Sequence, residues 1–275
     1  MTIWAVLNQK GGVGKTTAAI NLADAWAQQG LSVLVVDVDK QAAATCSLVA
    51  RELTTKDLTL ADVLRVDDAL PEGAPLGEMQ ADPHWCVPWS DEEKVYGDGP
   101  CAIALVPATL DLEDVWASSA PGLVFRLRRA FTRAAVNAYD RVILDGPPDL
   151  GPGAVSAVVA ADHVIIPTRP ERMSMQGVAR TVEMVGLIRR DMAPNVALTA
   201  IIPIAVDARV SEHKARVAEL QDAYGKLVTA SIPHRLRSDE ASGVGGPARS
   251  LPGPAGQVLG DAYAALAAEL DGRCA

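Results

Sequence analysis

Cysteine is scarce in this 275-residue chain, and its four copies, Cys46, Cys86, Cys101 and Cys274, form no C-x-x-C pair. That scatter argues against a disulfide framework or a cysteine-bound cluster and suits a reducing, cytoplasmic compartment. His84 and Cys86 would be half of a metal site, but no second pair stands near them. Aromatic residues make up only 4% of the chain, too few for a base-stacking platform. No apolar run reaches 18 residues, so no membrane-spanning helix is expected. The first residues enter an apolar segment directly, without a charged leader and cleavage site, so no signal peptide is expected.

Positive charge is short overall, with a formal net of −9. The deficit is local. Residues 51–114 hold 15 acidic and four basic side chains, a net of −11, which leaves the remainder at +2. A basic face elsewhere is therefore allowed. Within the acidic stretch, residues 67–100 read as an irregular insertion, broken by Pro71, Pro75, Pro83, Pro88 and Pro100. Trp85, Val87 and Trp89 alternate there as in a small hairpin, against the alternative of a solvated loop.

What the chain does have is a phosphate-binding pattern at its start. Lys10-Gly11-Gly12-Val13-Gly14-Lys15-Thr16-Thr17 carries the Gly-Lys-Thr end of G-x-x-x-x-G-K-[ST]. Gln9 stands where the first glycine should be, and Lys10 is a second lysine that ordinary loops of this type do not require. The context fits: Ile3–Leu7 is a strand-like apolar run, and Thr17–Gln29 has helical spacing closed by Gly30. Glycines let backbone N–H groups wrap a polyphosphate, and the helix start adds its positive dipole end. Lys15 would reach the β- and γ-phosphates, and Thr16 would ligate Mg²⁺.

Strands and helices alternate along the rest. Strands are expected at 32–36, 102–106, 141–145, 163–167, 196–202 and, shorter, 227–230. Helices are expected at 41–51, 60–64, 124–138, 173–190, 211–224 and 255–270. The pattern predicts one α/β domain over 1–275, a doubly wound, mostly parallel sheet with helices on both faces. Three carboxylates, Asp37, Asp39 and Asp145, fall at strand ends, where ligands sit in such sheets. A single strand-end aspartate is commonly a turn or capping residue. Three beside a phosphate loop point to a Mg·nucleotide site.

Lys10–Thr17, Asp37-Val38-Asp39-Lys40-Gln41 and Ile143-Leu144-Asp145-Gly146-Pro147-Pro148 together resemble the ParA/MinD family of deviant Walker ATPases, in particular its short Soj-like partition members. The resemblance extends through Val106-Pro107-Ala108, Ile166-Pro167 with Glu171, Gln176-Gly177, and Ile232-Pro233 leading to Gly245-Gly246-Pro247. It implies a slow, partner-stimulated ATP hydrolase that dimerises around ATP and Mg²⁺. Lys10 matches the signature lysine that crosses to the partner's phosphates. Lys15 matches the loop lysine and Thr16 a metal ligand. Asp39 matches the residue that positions water, and Asp37 and Asp145 match residues at the metal. Gly11 to Thr17 match the phosphate cradle, and Pro233 and Arg235 fall in the segment that holds the base. Two departures stand out: Lys40 replaces a proline, and His234-Arg235 replaces an Arg-Asn pair.

The resemblance also implies non-specific DNA binding, a ParB-like partner and a nucleoid-associated cytoplasmic location. Arg209, Lys214, Arg216, Arg235 and Arg237 form the candidate DNA patch, with ordinary solvated helix faces as the alternative. Arg126, Arg128, Arg129 and Arg133 form a rival cluster that reads as a solvated helix face. Three other outcomes stay open: positioning of a protein cargo, MinD-like membrane cycling, and a non-catalytic, nucleotide-gated scaffold, against which Asp39 and Lys10 argue. The second fits poorly, because the tail from Leu259 is alanine-rich and acidic.

Overall fold

The computed structural model describes residues 1–48, 53, 57, 59–65, 103–133, 139–234, 246–251 and 253–274. The 67–100 insertion with its hairpin, Cys86, Cys101, Arg235, Arg237 and Gly245 lie outside the described residues. Six strands form one parallel sheet: β1 (Thr2–Val6), β2 (Val33–Asp37), β3 (Ile103–Val106), β4 (Arg141–Asp145), β5 (His163–Thr168) and β6 (Ala197–Pro203). Their order is β3-β2-β4-β1-β5-β6. Continuous apolar runs suit strands covered on both faces. In β1, Ile3 and Ala5 pack to one side with Leu7, while Trp4 and Val6 pack to the other.

Nine α-helices occur among the described residues. On one face lie α3 (Leu60–Arg65), α4 (Leu112–Ala117), α5 (Leu123–Arg133), α6 (Pro152–Ala160) and α7 (Arg172–Asp191). On the other lie α1 (Lys15–Ala27), α2 (Ala43–Leu48) and α9 (Pro254–Cys274). The remaining helix, α8 (Ser211–Tyr224), buries only Leu220 and exposes most of its surface. Trp4 and Trp26 anchor the second face with ring centroids 5.4 Å apart. Trp26 Nε1 donates to Asp271 on α9 at 3.1 Å, and Arg141 bridges to the same carboxylate at 2.9 Å.

The expected doubly wound sheet is present, with one strand fewer. Residues 227–230 make one isolated bridge, Val228 to Ile201, instead of a strand. Gly225–Leu227 winds into a 3₁₀ turn with Gly225 at φ 55°, and Arg273 takes the Leu227 carbonyl at 3.2 Å. The segment therefore reaches the sheet edge without a continuous ladder. Helices α4 and α6 were not marked by the sequence pattern. Pro152–Ala160 is small and apolar almost throughout and is buried nearly all round, so it carries no 3.6-residue stripe.

Two arginines of α5, Arg126 and Arg128, are more than a solvated face. Arg126 donates to the Leu64 carbonyl at 2.6 Å and Arg128 to the Val159 carbonyl at 2.9 Å. Both carbonyls belong to helix C-terminal turns, where a cation is favourable.

Candidate nucleotide site

Sheet register brings the site together. Asp37 of β2 is level with Asp145 of β4, which is level with Val6 of β1. The phosphate loop follows Val6 directly, so loop and carboxylates share the carboxyl edge of the sheet. Gly12 and Gly14 turn the loop with φ of 72° and 90°, a region that side chains strain to enter. Val13 is buried and anchors the loop, while Gly11 and Gly12 stay exposed above it. Ala18 N–H is the first to close onto the Gly14 carbonyl, at 2.9 Å. The N–H groups of Lys15, Thr16 and Thr17 precede it, as an anion site requires. Asn21 holds the Thr17 carbonyl at 2.7 Å and accepts from Ala248 N–H at 2.7 Å, tying α1 to the Ala248–Ser250 turn.

The side chains are strongly coupled. Thr16 Oγ1 donates to Asp145 Oδ2 at 2.7 Å. Asp145 Oδ1 is buried without a hydrogen-bond partner. Burial, and then the Asp37 charge, raise the Asp145 carboxyl well above its ordinary range. Burial also raises Asp37 to about 6, against hydrogen bonds from Thr45 N–H and Oγ1, both 2.8 Å. Asp39 is buried beside them; its Oδ1 accepts Gln41 N–H at 3.0 Å. Lys15 is buried and its pKa is lowered by that burial, which the charges of Asp145, Asp39 and Asp149 oppose. Its ammonium rests on the Lys10 carbonyl at 3.2 Å.

These residues fit Mg²⁺ with a polyphosphate. The described residues contain no cage of three or more His, Cys, Asp or Glu side chains. Mg²⁺ does not need one, because it keeps waters and phosphate oxygens around one or two protein ligands. A hydroxyl at Thr16, an orphaned Asp145 oxygen and two carboxyls that resist ionisation supply the donor set such an ion completes.

This arrangement predicts a stability cost. The folded chain holds the Asp145 proton more tightly than the unfolded chain does. Its stabilising contribution is therefore full at low pH and is lost as pH rises from the ordinary carboxylate range through the raised value. Asp145→Asn removes that penalty. The nucleotide-free variant should melt about 2–4 °C higher than the parent at pH 8, with the gain shrinking toward pH 5. Thermal melts across that range check both the sign and the slope.

Lys10 is held within its own chain. Its ammonium meets Glu171 at 2.8 Å and Ser174 Oγ at 3.1 Å. That hydrogen bond keeps the Glu171 carboxyl below its usual range. The pairing spans 161 residues, so no local pattern announces it. Asn8 and Gly177 shape the approach: a Cβ on Gly177 would come within 2.5 Å of Asn8 Oδ1.

The segment that the resemblance assigns to the base flanks the loop. A Cβ on Gly14 would lie 3.4 Å from Ile204. Two residues on, Val206 bridges to Pro233, and His234 N–H donates to the Val206 carbonyl at 2.9 Å. The described part of the candidate DNA patch lies on α8 and the turn before it. Arg209 is paired with Asp207 at 2.8 Å and Arg216 with Glu219 at 2.6 Å. Lys214 is exposed.

Comparison with known proteins agrees with this geometry. A family model described as "AAA domain" matches residues 1–198. The chromosome-partitioning ATPase Soj of Thermus thermophilus is 34% identical over 243 residues, covering 88% of this chain and 84% of that one. The sporulation initiation inhibitor protein Soj of Bacillus subtilis is 30% identical over 248 residues, covering 89% of each. A cobyrinic acid a,c-diamide synthase from Mycobacterium smegmatis, solved with an ATP analog and magnesium, superposes with a TM-score of 0.73. It is 26% identical over 98% of this chain and 94% of its own. A putative plasmid partition protein from Borrelia burgdorferi shares the fold, with a TM-score of 0.75 at 18% identity over 100% of this chain and 99% of that one. With the phosphate loop, its second lysine and the strand-end aspartates on one sheet edge, the chain belongs to the ParA/MinD family of deviant Walker ATPases.

Proposed function

We propose that this chain is a partition ATPase whose working form is a nucleotide-bound dimer. ATP with Mg²⁺ occupies the loop of each chain. The bound Mg²⁺ supplies charge neutralisation at the phosphates. Lys15 and the amides of Gly12 to Thr17 hold the β- and γ-phosphates, while Thr16 and Asp145 hold the metal side. Asp37 fixes Asp39 through the Asp39 N–H, which donates to Asp37 Oδ1 at 3.2 Å. Asp39 orients the attacking water, and Lys10 of the second chain meets the charge that gathers in the transition state.

The observation that carries this reading is Lys10 beside a loop that already has its own lysine, Lys15. Lys15 is buried with its ammonium on the Lys10 carbonyl, while Lys10 is partly exposed and tied to Glu171. A second observation supports docking of another copy on this rim. Leu110, Met173 and Val210 are large apolar side chains exposed by 68%, 71% and 39%, and each lies in a segment that follows the carboxyl end of β3, β5 or β6.

In this reading dimerisation doubles a weakly basic surface and so switches DNA affinity. A ParB-like partner stimulates hydrolysis and releases the dimer, with plasmid, chromosome or protein complex as cargo. No described helix is long and apolar enough to cross a membrane. Co-sedimentation with duplex DNA tests the proposal. ATP with Mg²⁺ should bring most of the protein down with DNA at about 50 mM salt, and ADP should not. Raising the salt to about 200 mM should cut binding by about tenfold or more. Equal DNA binding with ATP and ADP would reject the switch.

A further inference from the structure

Asp39 sits on a turn that strains the backbone. Ala42 N–H closes onto the Asp39 carbonyl at 2.8 Å, and Ala42 adopts φ 54°, a left-handed conformation costly for a residue with a Cβ. Toward the core, the turn is fastened through Asp37 and Thr45. Lys40, the residue after Asp39, carries the outer fastening. Its ammonium meets Glu113 Oε1 at 2.6 Å. Glu113 lies in the first turn of α4, where the helix dipole favours a carboxylate. The bridge therefore joins the loop after β2 to the segment after β3, across two neighbouring strands. Lys40 also lies within the fields of Asp149 and Asp39, two of the carboxylates that surround Lys15.

We propose that Lys40 is a positioning residue for hydrolysis: paired with Glu113, it holds the Asp39 turn in the orientation that aligns the attacking water. This rests on the reading that Asp39 orients the water. Lys40 does not touch nucleotide in this account; Glu113 takes its ammonium to the outer side of the turn. The contribution is graded, because a half-exposed ion pair restrains a loop only modestly. It is specific to the turnover step, because the phosphate cradle is built from other residues.

The test uses the full chain with Mg·ATP, without DNA or partner, at protein concentrations where the rate per chain has levelled off. Lys40→Met and Glu113→Gln should each lower kcat by about two- to five-fold, with KM for ATP changed less than twofold. The double variant should be no slower than the slower single variant, because both remove one contact. Lys40→Arg should keep at least about half of the parent kcat. Three results would overturn the proposal: single variants within twofold of the parent, losses that multiply in the double variant, or a raised KM at constant kcat, which marks a phosphate contact instead. Asp39→Ala is run beside them. If Asp39→Ala turns over at the parent rate, the reading of Asp39 fails first; if it is inactive while Lys40→Met is normal, only the role of Lys40 fails.

Discussion

Replacing Lys10 by alanine should lower ATP turnover by about a thousandfold, while ATP affinity of the single chain should change by less than about threefold. The asymmetry follows from geometry. In the proposed reading the loop amides and Lys15 form the ground-state cradle within one chain, and Lys10 is not part of it: its ammonium is bound to Glu171 and Ser174. Reaching a partner's phosphates requires that pair to open. Glu171→Gln weakens the tie and should shift the opposite way, with dimer forming at a lower ATP or protein concentration than in the parent. Turnover assays, fluorescent-nucleotide titration and light scattering separate binding, assembly and chemistry. A Lys10→Ala chain that hydrolyses at the parent rate would remove the finger role altogether.

Asp39→Ala is the second large effect, and it should stall the cycle in the other state. Loss of a water-positioning carboxylate costs about 10²- to 10⁴-fold in turnover. Asp39 makes no hydrogen bond to the loop lysines or to Thr16 among the described contacts, so ATP binding and assembly survive. The variant should form a long-lived ATP dimer that stays on DNA after the parent has released it. Size-exclusion chromatography with light scattering after ATP addition, and DNA release followed over time, check both parts. A variant that remains monomeric with ATP would assign Asp39 to assembly instead of hydrolysis.

The most legible parts of the molecule were those whose physics is local. Glycine spacing, the Gly14-Lys15-Thr16 step into a helix, and aspartates at the ends of apolar runs all report chain geometry within a few residues. Five strands of the sheet followed from continuous apolar runs, as did the sixth at 197–203. The run at 227–230 misled because apolar content marks burial, whereas a strand also needs a free ladder partner. Here a 3₁₀ turn and the Arg273 guanidinium take up the adjoining backbone. Helix α6 escaped notice for the converse reason: buried nearly all round, it has no polar face to set a period. Pairings such as Lys10–Glu171 and Lys40–Glu113 bring together residues far apart in sequence, and only the fold makes them neighbours. Arg126 and Arg128 show the same limit, since their carbonyl partners belong to other helices.

The central claim is that each active site is built from two chains, with Asp39 and Lys15 from one and Lys10 from the other. Mixing two inactive variants tests it most directly. In a mixed dimer of Lys10→Ala and Asp39→Ala chains, one site has its own Asp39 and receives Lys10 from its partner, while the other site has neither. Random assortment makes about half of the dimers mixed, each with one competent site of two, so an equimolar mixture should regain about a quarter of the parent rate. If Lys10 acts within its own chain, every site in the mixture lacks one of the two residues. The mixture would then stay as inactive as its components, and the two-chain site would be wrong.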